Sequence, residues 1–260
     1  MKVLVTGIDR GLGKTLHAVF GGTGLNRGNA EEILASRDSY DAILHAAFNP
    51  RRDSDSESLY GAVTDNLLLT ERLARLPHKQ FVYISSIDVY PKNGGRHAED
   101  ELIRPETAND LYVLFKLMAE SIVTGTAAGA LILRCSAMLG ASARRSSLIK
   151  ILEDEKPKVE LSPDSVFNYV LHSDIAAFIR YALENEMTGT FNAAARETMT
   201  LGEAAEEAGK KVIFGSYRYD SGQISNQKIA AVCEGFRKTS LETVRAYALE
   251  QYKMRLPAHA

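Results

Sequence analysis

Tyr112 and Lys116 are the residues whose types and spacing point most directly to chemistry. They lie four positions apart in the segment LYVLFK, which places them one turn apart on the same face of a helix. A lysine ammonium beside a phenol lowers the pKa of the phenol from about 10 toward working pH, so the phenol can exchange a proton with a substrate hydroxyl or ketone. The spacing is also frequent by chance, and an exposed helical pair is the alternative interpretation.

Ser85 and Ser86 follow FVYI, a run of residues typical of a buried strand. Ligands in open α/β sheets bind beyond the carboxyl ends of the strands, so a hydroxyl group there can polarise a carbonyl. A turn or cap is the alternative role for these serines. Tyr112 and Lys116 lie on a predicted helix that follows this strand in the chain. That order predicts a proton relay of Tyr112 and Lys116, assisted by one of the serines.

Glycines mark the exit from the first predicted strand, at Gly7, Gly11 and Gly13. Glycine allows a positive φ and lets a pyrophosphate approach the free N–H groups at the start of a helix. The Gly-Lys-Thr triplet at 13–15 suggests a nucleoside triphosphate loop instead, but that loop needs glycine at position 8, which is Ile8. The turn therefore predicts dinucleotide phosphate binding.

Short apolar runs alternate with helical patterns along the first half of the chain. The helices are predicted around Asn29 and from Asn66 to Leu76. The predicted strands are Lys2–Thr6, Ala42–Ala46, Phe81–Ser85 and Ala130–Arg134. This alternation predicts an α/β, Rossmann-like, doubly wound parallel sheet.

The pattern loosens after about residue 135. We predict a dinucleotide-binding domain over 1–135 and a smaller substrate-binding lobe over 136–260, interleaved with the last strands of the sheet. The elements predicted in this lobe are strands at 191–194 and 211–214 and helices at 201–209 and 241–252.

Bulk properties exclude several classes of protein. A net charge of -2 over 260 residues, with scattered charges, leaves no basic stripe for nucleic acid. The strand-like start at 1–5 and the lack of an apolar run of about 18 residues predict a cytoplasmic protein with no signal peptide or membrane span. Cys135 and Cys233 have neither disulfide nor metal spacing, so we expect no metal and two buried thiols.

Taken together, these segments resemble the extended short-chain dehydrogenase/reductase family, especially its NAD(P)-dependent epimerases, dehydratases and ketoreductases of nucleotide sugars. The resemblance implies that Ser86 rather than Ser85 is catalytic, with Tyr112 and Lys116. The matching segments are the glycine turn, DAILHAA at 41–47, NLLLT at 66–70, Ser85 to Tyr90, Pro105 to Tyr112 with Lys116 and Glu120, LRC at 133–135 and VLHSDIA at 170–176.

The resemblance also implies a set of cofactor-binding residues. They are Gly7, Asp9, Arg10, Gly11, Leu12, Gly13, Arg27, Ala46, Ala47, Asn66, Ser85, Tyr112, Lys116 and Cys135. The stretch from Gly21 to Asp41 is shorter than in the family, so its ribose-binding acid is not identifiable. Arg10 and Arg27 are basic candidates for a 2′-phosphate, which favours NADP over NAD.

The substrate side departs further from the family. Phe167 aligns with an arginine that often meets a nucleotide diphosphate, and Arg144 and Arg145 are the candidates to replace that charge. The dehydratases have Asp-Glu after the catalytic residue where this chain has Ile87 and Asp88, which disfavours dehydration and leaves Asp88 as an auxiliary base or substrate contact.

We therefore predict an NAD(P)H-dependent reductase of a keto-sugar, nucleotide-linked, with Tyr112 as proton donor. The alternatives are an NAD-dependent nucleotide-sugar epimerase and a non-catalytic dinucleotide-sensing protein. The family commonly dimerises through two helices, so the leucines from Leu67 to Leu76, with Leu114, Leu117 and Met118, predict a homodimer or belong to the core.

Overall fold

A parallel sheet of six strands forms the centre of the fold. The computed structural model describes residues 1–36, 38–50, 56–108 and 110–253. The strands are β1 Val3–Thr6, β2 Thr23–Leu25, β3 Tyr40–His45, β4 His78–Ser86, β5 Arg96–His97, β6 Ala130–Cys135, β7 Ala137–Leu139, β8 Lys158–Leu161, β9 Val166–Phe167, β10 Tyr169–Leu171, β11 Gly189–Ala193, β12 Met199–Thr200, β13 Ile213–Tyr217 and β14 Gln223–Ile224. The central sheet has the order β11-β6-β4-β3-β1-β2.

Helices connect the strands and cover both faces of the sheet. They are α1 Gly11–Phe20, α2 Ala30–Ala35, α3 Ser56–Val63, α4 Leu69–Arg75, α5 Leu111–Thr126, α6 Ser147–Glu153, α7 His172–Glu184, α8 Leu201–Glu207, α9 Gln227–Ala230 and α10 Ser240–Tyr252. A π-helical turn, Thr64–Leu68, joins α3 to α4. The predicted helix at 66–76 is thus the second half of a longer, irregular one.

Successive side chains along each strand point to opposite faces of the sheet, and a hydrophobic core forms on each face. Val3 and Val5 of β1 pack with α1 and α7, whereas Leu4 packs on the opposite face with α4 and α5. Such two-sided burial explains why the strands are apolar throughout. The predicted doubly wound fold is confirmed.

The region between the first strand and DAILHAA is short, as predicted. It holds only β2 and α2 within its described residues, so the strand that ends in His45 is the third of the chain. Parallel pairing of β1 with both β2 and β3 keeps the carboxyl ends of these strands together.

The second half of the chain contributes to the central sheet and to smaller ladders. β11 pairs with β6 at the edge of the sheet, while β7 with β10, β8 with β13 and β9 with β12 form two-stranded ladders outside it. β14 pairs with β5 and so ties the two halves together. The division at residue 135 stays a prediction.

Two further predictions concern the burial of the cysteine thiols and the absence of a membrane span. Cys135 is buried as expected, but Cys233 is only half-buried, and both thiols are free. In the described part of the chain, no helix combines the length and apolarity needed to cross a membrane.

Candidate functional site

The glycine turn packs too closely for side chains at two of its positions. A Cβ on Gly13 would lie 2.3 Å from the Gly7 carbonyl oxygen, and one on Gly7 would lie 3.0 Å from the Ala47 nitrogen. Gly7 and Gly11 both have a positive φ, at 74° and 60°. The start of α1 therefore meets the end of β1 in a cradle of bare backbone, which fits a pyrophosphate.

The remaining turn residues differ in what they can offer a ligand. The side chains of Asp9 and Arg10 are exposed, whereas Leu12 is buried in the core, so only its backbone can face the cradle. The Gly11 N–H donates to the Ser142 carbonyl oxygen at 2.8 Å, and the Ser142 hydroxyl donates to the Gly11 carbonyl oxygen at 3.2 Å. The segment after β7 thus touches the turn.

A buried hydrogen-bonded chain joins the ends of β1 and β3. His45 Nδ1 lies 2.8 Å from Thr6 Oγ1, and its Nε2 lies 2.9 Å from Thr70 Oγ1. Burial lowers the pKa of His45 to about 3, so the ring is neutral. Because Thr70 donates to the Asn66 carbonyl oxygen, His45 carries its proton on Nε2 and Thr6 donates to Nδ1.

Asn66 is buried in the π-helical turn and holds the backbone that follows β3. Its Nδ2 donates to the Asn49 carbonyl oxygen at 2.9 Å, and its Oδ1 accepts from the Asn49 N–H at 2.7 Å. Upstream, the Ala47 N–H donates to Thr6 Oγ1 at 3.0 Å. The segment 46–49 is therefore fixed at both ends, and the amide of Asn66 is engaged by the protein itself.

Lys116 reaches from α5 to the end of β4. Its Nζ donates to the Ile84 carbonyl oxygen at 2.7 Å and lies 5.9 Å from the centroid of the Tyr112 ring. Burial lowers the pKa of Lys116 to about 7, against smaller opposing effects of Cys135 and Glu120. The predicted one-turn spacing on a helix is confirmed, and the Lys116 side chain reaches the strand that ends in Ser86.

The two serines have different partners. Ser85 donates to Glu120 at 2.5 Å, in the core between β4 and α5. Ser86 accepts from the Asp88 N–H at 3.1 Å and caps the 3-10 turn Ile87–Val89. A contact between Ser85 and the cofactor stays a prediction. In the structure the Ser85 hydroxyl donates its hydrogen bond to the Glu120 carboxylate.

A buried ion pair lies behind the two serines. Arg134 forms two hydrogen bonds with Glu120, at 3.1 and 2.8 Å, and donates to the Tyr90 hydroxyl at 3.0 Å. Tyr90 in turn donates to Asn192 Oδ1 at 2.8 Å. This network links β4, α5, β6 and β11. The sequence motifs named Tyr90, Glu120 and Arg134 without revealing that these residues pair, and they did not name Asn192.

Asp88 lies beside Ser86 and contacts a residue from the second half of the chain. It accepts hydrogen bonds from Tyr219 at 2.8 Å and from Lys92 at 3.0 Å. Burial, and then the Asp88 carboxylate, raise the pKa of Tyr219. The Tyr219 ring packs 4.7 Å from Phe167. No sequence signal identified Tyr219, because it comes from a loop far along the chain.

The predicted charged contacts lie at the surface. Arg27 is 90% exposed in its side chain and pairs with Asp65 at 3.2 Å. Arg145 pairs with Glu153 at 3.2 Å and with Asp154, and Arg144 is exposed. Within the described ranges, no three of the His, Cys, Asp and Glu side chains form a group that suits a metal ion.

The model of the NAD dependent epimerase/dehydratase family matches residues 3–194, which is more than half of the chain. The chain belongs to this family. It is thus an NAD(P)-dependent enzyme of the extended short-chain dehydrogenase/reductase type, as the motifs implied. The family match includes the glycine turn, Ser86, Tyr112 and Lys116.

Solved structures with the same fold include both epimerases and reductases. A UDP-glucuronic acid 4-epimerase from Bacillus cereus, in complex with UDP-glucuronic acid and NAD, is 18% identical with a TM-score of 0.75, covering 97% of this chain and 99% of the other. MoeE5 in complex with UDP-glucuronic acid and NAD is 18% identical with a TM-score of 0.80, at the same coverage. A dTDP-4-dehydrorhamnose reductase from Bacillus anthracis, in complex with NADP, is 16% identical with a TM-score of 0.76, covering 96% and 100%. No curated protein matches.

Proposed function

We propose that this enzyme is an NAD(P)H-dependent reductase of a keto-sugar, linked to a nucleotide. The observation that carries the proposal is the approach of Lys116 to the end of β4, where its Nζ contacts the Ile84 carbonyl oxygen two residues before Ser86. Tyr112 lies one turn earlier on the same helix, with its ring centroid 5.9 Å from Lys116 Nζ, so we expect its phenol at the end of the sheet where Ser86 lies.

The three side chains have distinct roles in this mechanism. When bound, the reduced nicotinamide supplies the hydride to the carbonyl carbon. Ser86 donates a hydrogen bond to the carbonyl oxygen, and Tyr112 transfers its phenolic proton to that oxygen as negative charge develops. The Lys116 ammonium stabilises the phenolate that remains.

NADP is the proposed cofactor in preference to NAD. The cradle formed by Gly7, Gly11 and Gly13 holds the diphosphate, and Arg27 follows the end of β2, beside the position of the adenosine ribose. The pairing of Arg27 with Asp65 must loosen if a 2′-phosphate binds there. The related structures contain NAD in the epimerases and NADP in the reductase, so NAD is the alternative.

The substrate side supports a sugar through a carboxylate and aromatic rings. Asp88 accepts hydrogen bonds next to Ser86, as it would from sugar hydroxyls, and Tyr219 with Phe167 offers flat apolar surface. The related enzymes bind UDP-linked sugars or are named for a dTDP-linked one. In our proposal Arg144 contacts the nucleotide diphosphate, since Arg145 is paired with two carboxylates.

The test is turnover with purified protein, NADPH or NADH, and UDP- and dTDP-linked 4-keto-sugars. We expect loss of reduced-nicotinamide absorbance in proportion to product, faster with NADPH. Interconversion of two UDP-sugars without added cofactor, by protein that retains NAD through purification, would show an epimerase instead. Binding of dinucleotide with neither activity would overturn the proposed chemistry.

We also propose a homodimer through α5 and the irregular helix formed by the π-helical turn and α4. Leu67, Leu73 and Leu76 are buried in the core, but Leu68 and Met118 are about half exposed, at 50% and 51%. These two side chains are suited to a helical interface. Sedimentation should give twice the chain mass of 28.5 kDa, reverting to a monomer in Met118→Glu; a monomeric wild type would contradict the proposal.

A further inference from the structure

Lys116 is almost fully enclosed by neighbouring groups, with 4% of its surface exposed. Its Nζ donates to the Ile84 carbonyl oxygen, and the Phe48 ring covers it, 3.9 Å from Nζ to the ring centroid. Tyr83 and Tyr112 lie further away, at 5.0 and 5.9 Å. A hydroxyl group that is to bind this ammonium must therefore replace one of these neighbours.

Phe48 is the neighbour that can move. Ile84 contributes a backbone carbonyl of the central strand β4, and Tyr83 is 1% exposed within the core. Tyr112 is itself the proposed proton donor. Phe48, in contrast, is half-buried and lies beyond the end of β3, where its ring packs edge to face against Tyr112 at 5.1 Å.

Phe48 also lies between the two ends of the proposed dinucleotide site. Its neighbour Ala47 packs against Gly7 of the phosphate cradle, while its own ring contacts Lys116. A dinucleotide with its diphosphate in the cradle and its second ribose at Lys116 has to pass over this segment. The Phe48 ring and that ribose therefore compete for one face of the ammonium.

We propose that Phe48 is the side chain that the nicotinamide riboside displaces on binding, so that this ring sets the affinity of the enzyme for NAD(P)H. This inference rests on the proposed function, because it takes Lys116 as a ligand of the cofactor ribose. An ammonium over an aromatic face is held by cation–π attraction. Apparent affinity equals the intrinsic affinity multiplied by the fraction of molecules in which the ring has moved away from Lys116. The covering ring therefore weakens dinucleotide binding, whereas ligands that end at the diphosphate escape this penalty.

The test compares dissociation constants of NADPH, NADH and ADP for wild type, Phe48→Ala and Phe48→Leu. The chain contains no tryptophan, so the fluorescence of the reduced nicotinamide is measured by direct excitation, and ADP by calorimetry. Phe20→Ala is the matched control, because the Phe20 ring is also half-buried over a cation, 5.5 Å from the Arg180 guanidinium, on the opposite face of the sheet.

We expect Phe48→Ala to bind the preferred reduced dinucleotide about tenfold more tightly, with ADP unchanged and with Phe20→Ala like wild type. Phe48→Leu keeps apolar volume but has no ring, so its dissociation constant should lie between those of wild type and Phe48→Ala. It replaces Phe48→Ala in the test if the alanine variant does not fold. Equal or weaker dinucleotide binding in both Phe48 variants overturns the inference and leaves the proposed reductase standing. If neither wild type nor variants bind a dinucleotide, both proposals fail.

Discussion

The two sides of the proposed cleft are built in different ways. On the dinucleotide side, Thr6, His45, Asn66 and Lys116 are buried and each is hydrogen-bonded to another part of the protein. On the proposed substrate side, Asp88 and Tyr219 meet in a contact between two distant segments of the chain, and both are partly exposed. The first arrangement fixes geometry for chemistry, whereas the second is open to exchange with a ligand.

Replacing Tyr112 by Phe tests the chemical centre and should have the largest effect. We expect kcat to fall about a thousandfold, equivalent to about 4 kcal/mol, because the proton donor is lost. The dissociation constant of the dinucleotide should not change. Tyr181→Phe, at a tyrosine 39% exposed on α7, is the control, and turnover of Tyr112→Phe at the wild-type rate would contradict the mechanism.

Replacing Arg134 by Ala tests whether the scaffold behind the site is as rigid as its contacts indicate. The change leaves Glu120 as a buried carboxylate without its cation, which costs about 3 kcal/mol of unfolding free energy. Urea denaturation measures the loss.

Arg145→Ala is the matched control for Arg134→Ala. Arg145 also pairs with two carboxylates, but its side chain is 56% exposed. Its removal should change the stability by less than about 1 kcal/mol. Similar losses in the two variants would contradict a special role for the buried pair.

The sequence indicated more of the local geometry on the proposed dinucleotide side than on the proposed substrate side, for a physical reason. Positions such as Gly13 and Lys116 act within one turn or one helix, so local spacing indicates their role. The Asp88–Tyr219 contact joins residues that lie 131 positions apart, and only the packing of the outer ladders brings them together. Phe48 was missed for another reason, since a single phenylalanine after a strand carries no sign of the cation it covers.

The pH dependence of the unfolding free energy tests the buried side of the cleft, because it measures how strongly burial disfavours the charged form of Lys116. Its pKa is about 7 in the folded protein against 10.5 as the ordinary value, so between these values the unfolded chain holds a proton that the folded protein does not. Unfolding free energy should therefore rise with pH, by about 2 kcal/mol from pH 7 to pH 9. Lys116→Met should lack this rise in urea titrations, and parallel curves would show that the ammonium stays charged.

Replacing Tyr219 by Phe tests the substrate side and should have the smallest effect. The variant keeps the ring on Phe167 but loses the hydrogen bond to Asp88. If the pair contacts the sugar, the substrate KM should rise about tenfold with kcat little changed, because uniform binding is lost. Asp88→Asn keeps the shape but removes the charge, and should raise KM in the same way. An effect on kcat as large as that of Tyr112→Phe would instead make Asp88 part of proton transfer and erase the difference between the two sides.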